Sequence, residues 1–75
     1  MNRGGIIRGN LLENNANIEI NHSWRDVLVE GNTIRHADRG IIVQKGARDV
    51  LLRKNVMEDI AKPLSGEGAP KEQAD

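Results

Sequence analysis

Three asparagines divide the chain into segments of nearly equal length. Asn10, Asn32 and Asn55 stand at an almost constant spacing. Each has an apolar residue three positions before it and another two positions after it, namely Ile7, Val29 and Leu52 before and Leu12, Ile34 and Met57 after. A fixed period of roughly 20 to 50 residues is typical of architectures in which successive repeats stack on one another. The sequence therefore predicts a stacked fold of about three repeats.

Short apolar segments with a period of two residues recur at the same interval. Ile18 and Ile20 flank Glu19, and Ile41 and Val43 occupy the matching positions one repeat later. Such alternation, bounded by Gly, Asn and Asp, indicates β-strands with one buried face. We expect three short strands per repeat, arranged as a triangle, with equivalent strands pairing in parallel at about 4.8 Å. The three asparagines would then hydrogen-bond along the stack as a structural ladder.

These segments resemble a known family. V-L-V-E-G-N-T-I, R-G-I-I-V and V-L-L-R-K-N-V-M are similar to the repeat of right-handed parallel β-helix proteins, which include the pectate-lyase-like superfamily and a periplasmic β-helix repeat family. The resemblance covers residues 5–64 and implies an all-β solenoid, a right-handed parallel β-helix of about three coils. Family members have many coils and usually an N-terminal cap, so we expect a C-terminal fragment without that cap. Residues 1–4 and 65–75 are expected to be a disordered start and a disordered tail.

A leucine-rich repeat is the alternative fold. Its L-x-L-x-x-N-x-L core also fits V-L-V-E-G-N-T-I. That fold requires a helix or an extended turn after the asparagine, whereas this chain continues with a second period-two segment. The β-helix is therefore the preferred interpretation.

Composition excludes several classes of function. The chain has 11 basic and 11 acidic residues, so it lacks the positive charge of a nucleic-acid-binding protein. Trp24 is the one aromatic residue, and the absence of cysteine excludes disulfides and thiolate metal sites. No apolar run approaches the roughly 20 residues of a membrane span, and the first residues do not resemble a signal peptide. The compartment stays open, although the resemblance implies a secreted or periplasmic parent protein.

The resemblance also implies a binding surface for carbohydrate. In this family the strand that matches G-I-I-V usually carries a polysaccharide groove on its outer face. Residues on this strand and the corner beside it are candidate carbohydrate-binding residues, namely Glu19, Asn21, Trp24, Gln44 and Lys45. Trp24 is open to two interpretations, since it could stack on a sugar ring or cover the apolar edge of its own turn.

A complete active site is not expected. Glycoside hydrolases need two carboxylates roughly 5–9.5 Å apart, but Glu19 aligns with Ile42 rather than with a second acid. His22 and His36 fall at different corners with no third ligand, so no metal or cofactor is predicted. Arg25-Asp26 and Arg48-Asp49 are interpreted as a repeated turn motif. Asn21-His22-Ser23 also fits the N-glycosylation pattern, which matters only in a eukaryotic secretory setting.

One further alignment suggests a contact surface. Ile6, Leu28 and Leu51 share a repeat position that should point outward, and Leu11, Thr33 and Val56 form a second, weaker column. A contiguous apolar stripe usually marks a contact surface, although outer strand positions also favour aliphatic residues. The stripe or the open ends of the stack could therefore mediate self-association.

Two functions follow as expectations. The first is the terminal part of a carbohydrate-binding protein, or of a polysaccharide lyase, hydrolase or epimerase, without an active site of its own. The second is a non-catalytic structural or protein-interaction scaffold. The residues themselves do not decide whether the parent protein is an enzyme.

Overall fold

The computed structural model describes residues 2–74, and the side chains of residues 4–74. The described part is all-β. Its strands, in chain order, are β1 (Asn2–Arg8), β2 (Leu11–Glu13), β3 (Ile18–Ile20), β4 (Trp24–Glu30), β5 (Thr33–Val43), β6 (Arg48–Arg53) and β7 (Val56–Ser65).

The strands form two sheets in which every pair is parallel. One sheet has the order β1-β4-β6, and in the other β5 pairs with β2, β3 and β7. Thr33 pairs with Leu11 and with Val56, so β2 and β7 lie on opposite sides of β5. The predicted parallel pairing of Ile18 with Ile41 is confirmed. Partners are one repeat apart throughout both sheets.

Alternating apolar residues of both sheets build one core. In β4 and β5 every second side chain is buried over part of the strand, as expected for strands with one face against a core. The most deeply buried apolar side chains are Val29, Ile34, Ile41, Val43 and Leu52. Burial of an aliphatic side chain contributes about 1.5–3 kcal/mol. Buried apolar side chains at equivalent positions of successive repeats form columns, which we call the inward columns. These columns stabilise both sheets together.

The expected right-handed parallel β-helix is wrong, and with it the solenoid and pectin-lyase-like fold. The structure is a compact arrangement of a three-stranded and a four-stranded sheet, not three coils of three strands each. Its radius of gyration of 11.2 Å is that of a globule of this length. The physical reason lies at the expected corner after Arg35, where His36 adopts a φ of 56° and bends β5 without ending it. Two expected strands are therefore one, and the triangular coil does not form.

Residues close to both ends of the chain are part of the described structure. β1 begins at Asn2, and residues 66–74 follow β7 as turns and irregular backbone. Gly68 N–H donates to the Val43 carbonyl, and Ala74 N–H donates to the Leu52 carbonyl. These bonds place residues 66–74 on the side of the sheets where β6 and β7 lie. The expected disorder of residues 1–4 and 65–75 stays a prediction, and Met1 and Asp75 lie outside the described residues.

Candidate functional site

A ladder of asparagine side chains lies between the two sheets, where β1, β4 and β6 lead into β2, β5 and β7. Asn10 Nδ2 donates to Asn32 Oδ1 at 2.9 Å, and Asn32 Nδ2 donates to Asn55 Oδ1 at 2.9 Å. The backbone N–H groups of Asn10 and Asn32 donate to the same two oxygens, each at 3.0 Å. Asn32 Nδ2 also donates to the Ile7 carbonyl, and Asn55 Nδ2 donates to the Val29 carbonyl. Asn32 and Asn55 are buried, so the bonds between these two residues are shielded from water.

Gln73 occupies the position of a further rung at one end of this ladder. Its Oε1 accepts from Asn55 N at 2.9 Å and from Asn55 Nδ2 at 2.6 Å, as Asn55 Oδ1 accepts from Asn32. Its Nε2 donates to the Asn55 carbonyl at 2.9 Å. At Asn32 the donor to the asparagine carbonyl is instead a backbone N–H, that of Val56. One glutamine side chain thus reproduces the contacts that a whole rung makes.

The opposite end of the ladder is exposed. We call this end the β1 edge and define it as β1, β2 and the intervening Asn10. Among the described residues, β1 pairs with β4 alone and β2 pairs with β5 alone. Asn10 Oδ1 accepts no hydrogen bond from them, and Asn10 is exposed. The Thr33 and Val56 N–H groups donate to the asparagine carbonyl of the preceding repeat. The equivalent N–H of Leu11 therefore points away from β5.

Charged residues flank the ladder with alternating sign. Glu30 lies between Arg8 and Arg53 and pairs with both, at 3.1 and 3.2 Å. Arg35 pairs with Glu58 at 3.3 Å and is aligned with Glu13 in the sheet. The first and third repeats therefore carry Arg before the asparagine and Glu after it, and the second repeat carries the reverse order.

The structure brings some candidate carbohydrate-binding residues together and separates others. Gln44 Nε2 donates to Glu19 Oε2 at 2.6 Å, and Gln44 Oε1 accepts from His22 N at 3.3 Å. Asn21 Oδ1 instead accepts from Ser23 N and Ser23 Oγ within its own turn. Two of the five residues thus form one polar contact, while the Asn21 side-chain oxygen is used locally.

Trp24 and Lys45 lie apart from that polar contact. Trp24 is half-buried against the core, and its ring lies beside Gly5 and Val27. It lines a cavity of about 300 Å³ between β1, β3 and β4, together with Gly5, Ile6, Ile7, Glu19, Ile20 and Val27. Lys45 Nζ lies 4.0 Å from Glu67 Oε2, in the segment that follows β7. Trp24 and Glu19 therefore share a largely apolar cavity, which Lys45 does not line.

Neither histidine belongs to a metal site in the described structure. His36 Nδ1 lies 3.0 Å from Asp59 Oδ2, whereas His22 Nδ1 lies 3.4 Å from Gln44 Oε1. Over residues 2–74 there is no group of three His, Cys, Asp or Glu side chains that could hold a metal ion. The Asp26 and Asp49 backbones have φ values of 58° and 55° and lie within β4 and β6, and the repeated turn motif stays a prediction.

The outward apolar columns are aligned in the sheets. Ile6 pairs with Leu28, and Leu28 pairs with Leu51. Ile6 is 66% exposed and Leu51 is 44% exposed, while Leu28 between them is half-buried. In the second column, Leu11 and Val56 are exposed on either side of Thr33. Both stripes are therefore surface features of the folded chain.

Sequence reasoning missed Gln73 as a ladder residue. It lies in a segment without apolar periodicity, so no repeat alignment assigns it a position. The available signal was chemical: a glutamine amide has the same donor and acceptor groups as asparagine, on a longer stem.

Comparisons with known proteins give no relative. No family model matches the chain, and no curated protein and no solved structure matches it. The resemblance to pectate-lyase-like β-helix proteins is therefore unsupported by the comparisons as well as by the sheet arrangement. In residues 2–74, no helix is long and apolar enough to cross a membrane.

Proposed function

We propose that this chain is a non-catalytic protein-interaction module that binds an extended polypeptide segment along the β1 edge. The observation that carries the proposal is the asymmetry of the ladder. Gln73 occupies one end, whereas Asn10 at the other end is exposed and accepts no hydrogen bond from the described residues. Edge strands with unpaired backbone groups are ready templates for an added strand.

The chemistry of the β1 edge supports this proposal. Asn10 Oδ1 is an acceptor and the Leu11 N–H is a donor, and both face outward beside a strand that pairs on one side only. Main-chain hydrogen bonds supply affinity when a peptide adds to a sheet edge, and side-chain contacts supply specificity. The partner of the Glu19 carboxylate is an amide rather than a second acid, since Gln44 Nε2 donates to Glu19 Oε2 at 2.6 Å.

Blocking one outward N–H tests the proposal. An array of capped extended peptides is screened for binding to the unchanged protein, to Leu11→Pro and to Leu11→Ala. Proline removes the outward N–H, and the Leu11 side chain is 59% exposed, so the core is left intact. We expect some peptides to bind the unchanged protein and Leu11→Ala but not Leu11→Pro. If no peptide binds, or if Leu11→Pro binds as well as Leu11→Ala, the proposal is wrong. Circular dichroism establishes that all three proteins are folded.

Carbohydrate binding is a second candidate, supported by the cavity that Trp24 and Glu19 share. Aromatic rings with a nearby carboxylate provide a stacking surface and a hydrogen-bond acceptor for a sugar. Titration with acidic and neutral oligosaccharides should change the fluorescence of Trp24, and Glu19→Gln should weaken a response to neutral sugars. An unchanged spectrum at millimolar concentrations of every sugar excludes this candidate.

A further inference from the structure

We infer that the β1 edge selects a partner segment with the pattern apolar-Glu-Gly-Asn-x-apolar-Arg, aligned parallel to β1 and β2. The inference rests on the proposed function and adds the chemistry of the partner. Each part of the pattern follows from a row of side chains that ends at this edge.

The asparagine in the pattern follows from the ladder. Within the chain, each rung donates a backbone N–H and an Nδ2–H to the Oδ1 of the next rung, as Asn10 donates to Asn32. An asparagine in an added segment would donate both groups to Asn10 Oδ1, and its carbonyl would accept from the Leu11 N–H. Alanine at this position keeps the backbone donor but loses the side-chain donor. The position before the asparagine is left-handed in all three repeats, with φ values of 68° at Gly9, 67° at Gly31 and 55° at Lys54, and the pattern has glycine there because glycine adopts this conformation at the least cost.

The charges follow from the alternation of sign between repeats. Arg8 is 59% exposed and pairs with Glu30 on its inner side. A glutamate two positions before the new asparagine would lie on the outer side of Arg8, as Glu30 lies beside Arg53. An arginine three positions after it would lie beside Glu13, as Arg35 lies beside Glu58. The second repeat of the chain itself, V-E-G-N-T-I-R, has this pattern.

The apolar positions follow from the inward columns. Ile7 ends the column that contains Val29 and Leu52, and Leu12 ends the column that contains Ile34. Ile7 also lines the cavity of about 300 Å³ next to β1. An apolar side chain three positions before the new asparagine would extend this column beside the cavity.

A second copy of the same chain is the wrong partner for head-to-tail stacking. Its β6 and β7 side would place Arg53 opposite Arg8 and Glu58 opposite Glu13, and like charges in register destabilise a sheet. The two donors of its Asn55 are also already bound to Gln73. The partner is therefore a polypeptide segment other than the β6 and β7 side of a second copy, and it carries the reversed order of charges.

Three capped peptides test the pattern. The first has the sequence V-L-V-E-G-N-T-I-R-H-A-D, taken from residues 27–38. The second exchanges its charges, V-L-V-R-G-N-T-I-E-H-A-D, and the third replaces its asparagine by alanine. We expect the unchanged protein to bind the first peptide roughly tenfold more tightly than the second, because two exposed ion pairs become two repulsive pairs. The third peptide should bind about three- to tenfold more weakly than the first. Calorimetry gives each Kd.

A protein variant provides the matched control. Arg8→Glu with Glu13→Arg should reverse the preference and bind the charge-exchanged peptide more tightly. Arg8→Gln with Glu13→Gln should remove the preference and serves if the first variant does not fold.

Each outcome has one meaning. Equal binding of the first two peptides overturns the charge pattern and leaves edge binding intact. Failure of all three peptides, while arrayed peptides of other sequence bind and Leu11→Pro abolishes that binding, overturns the inference alone. If no peptide of the array binds either, the proposed function is also wrong. Sedimentation that shows oligomers of the unchanged protein, dissociated by Leu11→Pro, would identify a second copy as the occupant and overturn the choice of partner.

Discussion

Replacing Asn32 by leucine should destabilise the fold far more than the same change at Asn10. The Asn32 side chain takes part in four hydrogen bonds, two as donor and two as acceptor. Leucine has a similar volume but leaves the Ile7 carbonyl without this donor. Asn55 Oδ1 keeps only the backbone N–H of residue 32. An unsatisfied buried polar group costs about 1–3 kcal/mol, so we expect a loss of about 2–3 kcal/mol in the free energy of unfolding.

Asn10→Leu is the matched control. Asn10 is exposed, so water replaces the lost contacts of its side chain, and its backbone N–H still donates to Asn32 Oδ1. We expect a loss below about 1 kcal/mol. A domain of 75 residues has a total stability of about 4–11 kcal/mol, so the difference between the two variants is measurable.

Urea unfolding followed by Trp24 fluorescence and by circular dichroism measures both variants. For a small domain the slope is about 1 kcal/mol per M urea, so Asn32→Leu should lower the midpoint by about 2 M. Equal midpoints for the two leucine variants, or a higher midpoint for Asn32→Leu than for the unchanged protein, would refute the reasoning from buried hydrogen bonds.

Three further predictions concern other parts of the molecule. Gln73→Ala should lower stability by about 1–3 kcal/mol because it leaves the last ladder donors unpaired, whereas Gln73→Glu should cost less because it keeps the acceptor; thermal melts of both variants separate these effects. Gly66→Ala should cost at least about 1 kcal/mol, because the backbone has a φ of 95° and an added Cβ would collide with the Val43 carbonyl, and a urea midpoint equal to that of the unchanged protein would contradict this. Leu28→Lys combined with Leu51→Lys should increase solubility and abolish any self-association if the apolar stripe is a contact surface, and unchanged sedimentation would assign the stripe to strand preference alone.

The register of the sheets could be predicted from sequence, but the number of sheets could not. Ile18 and Ile41 share a position in a period-two pattern, and such a pattern fixes which residues face the core and which positions pair. Asn14, His36 and Asp59 share one repeat position and have φ values of 58°, 56° and 54°, yet β2 ends before Asn14 whereas β5 and β7 continue past this position. His36 takes the left-handed conformation and β5 continues past it, and composition at that corner does not reveal this outcome.

The candidate site was predictable only in part. The rungs at Asn10, Asn32 and Asn55 follow from spacing, because equivalent positions in paired strands must be neighbours. Gln73 follows from no spacing, since its position depends on how residues 66–74 cross the ends of β6 and β7. The sequence allowed two orientations of Trp24, towards a sugar or over its own turn. In the structure its ring lies beside Gly5, and this contact depends on the pairing of β1 with β4.

The parallel register has a consequence for the rate at which this protein folds. Every paired residue in both sheets meets a partner one full repeat away along the chain. That separation is about 0.3 of the chain length, and pairs this far apart raise the relative contact order, which is roughly 0.16–0.22 in all-β domains that fold in milliseconds to seconds. Among residues 2–74 every strand pair is parallel, so no hairpin is available there to nucleate either sheet, because parallel neighbours need a long connection. A loop as long as one repeat must close before the first strand pair forms. Stopped-flow refolding should therefore show a main phase on the timescale of a second or slower, despite the small size of the chain.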